Sequence, residues 1–174
     1  YRDIKERWKD IEEKFEYLDL TYDLGFATGF WLAEGILASN NIVKFFNNNE
    51  EILNKIHTFL SHINKLNKPI YYGGYISSKT LTVGHSLLHK YFSMFLDKNK
   101  YTNYPQIKGR GSRAKIIPSF CFHANNEFIS GLLSGFFTGD GTLGKRGVYA
   151  TTVNKDLAYG ICFLLWRLSI GAYI

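Results

Sequence analysis

The sequence predicts an α/β (α+β) fold in which one unit of helices and short antiparallel strands is written twice. Two observations carry that expectation. The stretches ATGFWLAEGIL, residues 27–37, and LLSGFFTGDGT, residues 132–142, both run small residue, glycine, aromatic, aromatic, and both close on an acid followed by glycine. Around each copy, apolar residues spaced three and four apart alternate with short runs of strand character, as helices alternate with strands.

In chain order, Ile4, Trp8, Ile11, Phe15 and Leu18 form an apolar stripe that predicts an amphipathic helix over Tyr1–Leu20. Asp19 or Thr21 ends it or caps the next element, an apolar helix over Leu24–Ala33 that stops at Gly35. ILASNNIVKFF then reads as strand, turn and strand, reversing at Asn40-Asn41. Asn48 or Asn49 caps a helix with glutamates in its first turn and a stripe of Ile52, Ile56, Phe59, Leu60 and Ile63. KPIYYGGYISSKTLTVGH predicts two strands turning over Ser77–Thr80, and SLLHKYFSMFLD another helix. Lys98–Ile117 reads as a loop, after which Pro118 opens the segment containing the second apolar helix. The pattern then restarts with a glycine-rich turn over Gly141–Gly147, the strand GVYATT, a helix over Asn154–Leu168, and GAYI beginning a new strand.

The unit is helix–strand–strand–helix–strand–strand–helix, followed by the opening half of a second copy. Glu34 and Asp140 stand 106 positions apart, too far for a solenoid repeat, so internal duplication describes the chain better. Residues 1–21 then form an N-terminal helical extension or connector, 22–117 a first half, and 118–174 a second, truncated half.

A chain of 174 residues with 45% hydrophobic and 17% aromatic content can bury one sizeable core. Its apolar runs are interrupted by Glu34 or by glycines before the roughly 20 residues a bilayer needs, so the chain reads as soluble, with no membrane partner. Cys121 and Cys162 sit in apolar company and read as buried thiols in a reducing compartment. His85 and His89 share one helical face, but no acid or thiol beside them completes a metal site. The net charge of +6 is unevenly spread: acids gather at the amino end, while DKNKYTNYPQIKGRGSRAK, residues 97–115, interleaves basic residues with glycine, asparagine and tyrosine. Such a segment suits a polyanion.

The repeated phrase has its own chemistry. Gly25 and Gly29, and likewise Gly131 and Gly135, are four apart and give each apolar helix a face of small residues. Such faces let two helices approach backbone to backbone. If these two do so, Glu34 and Asp140 come together at the carboxyl ends of both helices, where negative charge is unfavourable. A divalent cation held by hard oxygen ligands would relieve that repulsion, and cations between paired carboxylates suit phosphodiester hydrolysis.

ATGFWLAEG (residues 27–35) and LSGFFTGDG (133–141) resemble the paired signature motifs of the LAGLIDADG homing endonucleases, in the single-chain, two-motif form found inside inteins. KIIPSF (115–120) and LLWRLSIGAYI (164–174) are also similar to that family, and the likeness runs from about Tyr22 to Ile174. The resemblance implies a pseudo-symmetric pair of αββαββα halves: central motif helices, antiparallel sheets forming a saddle over double-stranded DNA, and Mg²⁺-dependent cleavage leaving short 3′ overhangs. A complete chain would be a monomeric pseudo-dimer, intracellular, in the cytoplasm with the nucleoid DNA, and embedded in an intein or other host protein. Carried over by motif, Glu34 and Asp140 hold the metal beside Gly35 and Gly141, Mn²⁺ can substitute for Mg²⁺, and Lys115 is the catalytic lysine. Glu34 departs from the commoner aspartate by one methylene.

DNA contact would fall on strands over Ile42–Phe46, Tyr71–Ser78, Leu81–His85 and Val148–Thr152 and on neighbouring loops. Lys44, Tyr72, Tyr75, Lys79, Lys108, Arg110, Arg113, Lys145 and Arg146 are the candidate contacts. Two other readings share the scaffold: a non-cleaving nucleic-acid binder, such as an RNA maturase or DNA-binding regulator, and an inactive endonuclease remnant. Retention of both acids and of Lys115 favours catalysis.

Overall fold

A computed structural model describes residues 18–38, 41–62, 75–77, 79–97, 99 and 110–174. Its elements are α1 (Tyr22–Glu34), β1 (Gly35–Leu37), β2 (Ile42–Phe46), α2 (Glu50–His62), β3 (Tyr75–Ser77), β4 (Thr80–Gly84), α3 (Ser86–Ser93), α4 (Arg110–Ala114), a 3₁₀ turn (Ser119–His123), α5 (Asn126–Asp140), β5 (Gly141–Gly144), β6 (Gly147–Ala150) and α6 (Lys155–Arg167). The fold is mixed α/β with small antiparallel sheets, as expected. None of the described helices is long and apolar enough to cross a membrane. The helix expected over Tyr1–Leu20 lies almost wholly outside the described residues.

The helix starts follow from local chemistry. Thr21 Oγ1 accepts from Leu24 N at the start of α1, Asn49 Oδ1 from Glu51 N at α2, and Asn125 Oδ1 from Phe128 N at α5. Nine consecutive residues of α1, Leu24–Leu32, are buried, so this helix is enclosed on every side. Its one buried hydroxyl is satisfied: Thr28 Oγ1 donates to Leu24 O and pairs with Tyr91 Oη at 2.8 Å.

What encloses α1 most closely is α5. A Cβ added at Gly25 would fall inside 3.0 Å of the Phe128 carbonyl, and one at Gly131 would meet Tyr22 O in the same way. Gly29 meets Leu132 O, and Gly135 meets Phe26 O. Shifting any of these pairs by 106 positions gives its counterpart with the roles exchanged, so the contact has an approximate two-fold axis. No side chain larger than hydrogen fits at the four glycines. Around this contact a continuous set of rings (Trp31, Phe92, Tyr91, Phe95, Phe120, Phe128) ties both helices to α3 and the 3₁₀ turn.

The first sheet has the order β1-β2-β4-β3, all antiparallel. Val43, Phe45, Leu81 and Val83 face the core, which leaves Lys44 and Thr82 on the opposite face. The β2–β4 register sets the strand one residue earlier than Leu81–His85, because His85 instead accepts from Leu88 N as the N-cap of α3. Of the strand expected over Tyr71–Ser78, Tyr75–Ser77 is described, and the rest lies outside the described residues.

Three other expectations are corrected. The loop over Lys98–Ile117 contains α4, and Leu96 bridges Lys115. The glycine-rich segment is a hairpin rather than a turn: Gly141–Gly144 pairs with Gly147–Ala150, leaving Lys145-Arg146 as a two-residue tip, so the second strand ends at Ala150 rather than Thr152. Gly147 there has φ +146, and Gly144 leaves room for the cross-strand Tyr149 ring. Finally, GAYI is not a strand. Ser169 at φ 61 closes a Schellman turn through Ile170 N to Leu165 O and Ser169 N to Trp166 O, and Trp166 Nε1 then donates to Ala172 O.

The two-fold contact makes a stability prediction. Gly29→Ala places a methyl against a backbone carbonyl that no rotamer can clear, and is expected to cost about 3 kcal/mol or more in urea unfolding. Gly111→Ala, whose added Cβ would meet only Ile36 Cγ2 at 3.9 Å, is the control and should be neutral or slightly stabilising.

Candidate active site

Glu34 and Asp140 are the last residues of α1 and α5, and the glycine contact carries the two helix ends together. A Cβ at Gly139 would strike Ala33 Cβ and lie 3.2 Å from Glu34 Cγ, so the ends touch at the level of the acids. Gly35 N–H returns to Trp31 O, and Gly141 N–H to Phe137 O, in equivalent positions. Both glycines are extended, so each chain passes straight from helix into strand. A side chain at Gly35 would hit the Trp31 indole, and one at Gly141 the Phe137 carbonyl.

Both carboxylates are half-buried and, among the described residues, take no hydrogen bond. Burial raises the Glu34 carboxyl above the usual range, the charge of Asp140 raises it further, and Lys115 partly offsets this. Asp140 is likewise raised by burial and pulled back by Lys115.

Lys115 is 2% exposed. Its Nζ donates to Trp31 O at 3.0 Å and stands 5.1 Å from the Trp31 ring centre. Burial lowers its ammonium to about 8, against the pull of Asp140 and Glu34. A buried ammonium is costly unless partnered; here it has one carbonyl and the field of two nearby acids. The segment carrying it is held by Asp97 N to Ala114 O and Ile116 N to Phe95 O.

The structure therefore brings Glu34, Asp140 and Lys115 together and leaves the basic candidates elsewhere. Lys44 lies on the outer sheet face, between Ile36 and Thr82 in register, and Tyr75 pairs with Thr82 on the far side of β4. Lys79 is exposed at φ 71 in the β3–β4 turn. Arg113 is exposed on α4, where Arg110 begins the helix. Lys145 and Arg146 are exposed at the β5–β6 tip. Tyr72 and Lys108 lie outside the described residues.

The two histidines of α3 are structural: His85 caps the helix and His89 Nε2 bonds Ala38 O. Among the described residues no cluster of three or more His, Cys, Asp or Glu could hold a metal. Cys121 and Cys162 are free, buried thiols, and burial pushes Cys121 up to about 12. Sequence reasoning missed Trp31 and Asn154. Trp31 supplies the carbonyl that receives Lys115, and its Nε1 is the one buried side-chain polar atom among the described residues without a partner. Asn154, read only as a helix start, donates through Nδ2 to Arg113 O and Lys115 O.

Residues 127–174, spanning α5, the β5–β6 hairpin and α6, match the family model of the LAGLIDADG-like domain. Helix α1, outside that match, is the reciprocal partner of α5 through the four glycines. The chain is similar to the DNA-directed RNA polymerase subunit Rpo1C of Methanocaldococcus jannaschii, 34% identical over 157 residues, covering 88% of this chain and 16% of that protein. It is 27% identical over 167 residues to the ATP-dependent DNA helicase Hel308 of Thermococcus kodakarensis, covering 91% of this chain and 14% of the helicase. A DNA polymerase of a Thermococcus species is 38% identical over 61 residues, covering 33% of this chain and 4% of the polymerase. The chain thus spans a sixth or less of each relative's length.

The raised carboxyls of Glu34 and Asp140 set a sign for pH dependence. An acid whose folded pKa lies above its unfolded one binds more protons when folded, so its stability cost is absent at low pH and grows as pH rises through that window. In the absence of divalent cations, Asp140→Asn should therefore be more stable than the parent at neutral pH. The gain should be small, because solvent still reaches the side chain and Lys115 offsets part of the cost of burial. It should fade below about pH 4, as denaturant melts across the acid range would show.

Proposed function

We propose that the chain is a site-specific double-strand DNA endonuclease of the homing type, using Mg²⁺ (or Mn²⁺ in its place) and carried inside a host protein. The observation that supports this most is the meeting of Glu34 and Asp140 at the ends of two reciprocally packed helices, with the Lys115 ammonium on Trp31 O in the field of both acids. The donor set fits a hard divalent cation: two carboxylates, each half-open to solvent, made less comfortable by burial and mutual charge, and taking no hydrogen bond among the described residues. When bound, such a cation supplies Lewis acidity at a phosphodiester. Gly35 and Gly141 contribute the close passage from helix to strand that keeps the acids at the surface. Lys115, with its ammonium lowered to about 8, can donate to a phosphate oxygen or pass a proton near neutral pH.

The relatives support carriage within a host. A polymerase subunit and a helicase are similar to most of this stretch and a DNA polymerase to a third of it, each as a minor fraction of its length, so the activities in their names are not what the stretch has in common. An intein-borne endonuclease in the cytoplasm, acting on nucleoid DNA, accounts for a domain recurring in such different proteins. Lys44, Lys79, Arg113 and the Lys145-Arg146 tip would line the nucleic-acid face, with Tyr72, Tyr75, Lys108 and Arg110 as further contacts.

Cleavage is tested with a supercoiled plasmid library carrying randomised sites, incubated with the chain and Mg²⁺, with linear products sequenced. One recurring junction is expected, and Glu34→Gln or Asp140→Asn should each lower its formation by about 100-fold or more while DNA binding persists. Tight binding without nicking would replace this reading with a non-cleaving nucleic-acid binder, and neither activity with an inactive remnant.

Binding carries a separate expectation. Lys145→Ala and Arg146→Ala should each weaken duplex binding and flatten the slope of log affinity against log salt by about one, because each removes one phosphate contact. Titration by fluorescence anisotropy across a salt series reads this directly.

A further inference from the structure

Three polar or charged side chains are buried among the described residues: Thr28, Lys115 and Asn154. Thr28 is satisfied within the core, and Lys115 belongs to the site described above. Asn154 is 4% exposed and lies 39 to 41 residues from its partners. Its Oδ1 accepts from Asp156 N and so caps α6, which any good N-cap residue could do. Its Nδ2 does something a cap does not need: it donates to Arg113 O at 2.9 Å and also to Lys115 O.

These two bonds complete a clamp. On one side the Lys115 segment pairs with the end of α3 through Asp97 N to Ala114 O, Ile116 N to Phe95 O and the Leu96–Lys115 bridge. On the other side no strand pairs with it among the described residues, and Asn154 supplies the donors. Asn154 also closes the segment that leaves β6, the second strand of the hairpin that begins at Gly141 beside Asp140. One amide thus joins the chain that leaves the acid pair to the chain that carries the lysine.

We infer that Asn154 is a positioning residue that holds the Lys115 backbone so that its ammonium stays on Trp31 O beside Glu34 and Asp140. The inference rests on the endonuclease reading for its effect on catalysis, but not for its effect on Lys115 itself.

The test is Asn154→Ser in the full chain, since serine keeps the capping oxygen and removes both Nδ2 donors. Thermal unfolding should fall only modestly, as the loss of buried donors requires, and DNA affinity stay within about twofold, while single-turnover cleavage falls about tenfold, out of proportion to the change in stability. Independently of cleavage, acylation of Lys115 by an amine-reactive reagent, followed by mass spectrometry, should quicken by about tenfold as the segment loosens. Asn154→Asp, which keeps the cap and turns an acceptor toward two carbonyls, should show the same effects more strongly.

Lys115 labelling unchanged in both variants overturns the inference, whether or not the chain cleaves DNA. Cleavage lost in Lys115→Met but intact in Asn154→Ser also overturns it and leaves the endonuclease reading standing. A parallel fall of melting temperature, binding and cleavage in Asn154→Ser would make the residue a stabilising crosslink only. If the parent does not cleave, the endonuclease reading fails, and the labelling alone decides the role of Asn154.

Discussion

The structure depends on one contact, the approach of α1 and α5 through Gly25, Gly29, Gly131 and Gly135 until each glycine lies against the other helix's backbone. Dispersion between two backbones at that distance is favourable only while nothing larger than hydrogen intervenes, so the four positions admit little variation. The contact also fixes geometry. Two helices locked over two turns have no freedom to slide, and their last residues must meet. Glu34 and Asp140 are therefore paired as a consequence of how the core is packed, and not by any attraction of their own.

That pairing works against the local electrostatics. Each acid stands at the negative end of a helix, each is partly withdrawn from water, and each feels a like charge or too little of an opposite one. Lys115 compensates incompletely, because it is itself desolvated and gives its hydrogen bond to Trp31 O. All three groups are pushed toward their neutral forms by the same cause, burial, and each is pulled back only by the opposite charge near it. Such a site is stabilised by whatever brings counter-charge to the acids and an acceptor to the lysine, and on the proposed reading a cation with a phosphate group would bring both.

Much of this was legible in the sequence because the information is local. Small residues four apart, a cap at Thr21, Asn49 or Asn125, and an acid before glycine can each be read from a few neighbouring letters. What stayed hidden depends on partners far along the chain. The run GTLGKRG looks like a turn, since glycine is the commonest turn residue, yet Gly144 is small because the Tyr149 ring crosses it from the opposite strand. GAYI has strand-like letters, but it follows the turn at Ser169 and pairs with no strand among the described residues. Asn154 announced a helix start, while its second task joins residues about forty positions apart. α4 escaped notice because RGSRA has no apolar stripe.

The two-fold relation holds for packing and is broken in charge. At the position equivalent to Trp31 stands Phe137, whose carbonyl receives Gly141 N–H as Trp31 O receives Gly35 N–H. Only the first of these carbonyls also receives an ammonium among the described residues. The indole adds a buried N–H with no acceptor among the described residues, which its phenyl counterpart cannot have. So the carbonyl one turn behind Glu34 carries an ammonium and an indole, while the one behind Asp140 carries neither among the described residues, although the charge of Lys115 acts on both acids. A glycine contact requires matched shapes and enforces symmetry along the helices. The groups just beyond it are half-open to solvent, and nothing in the packing obliges them to match.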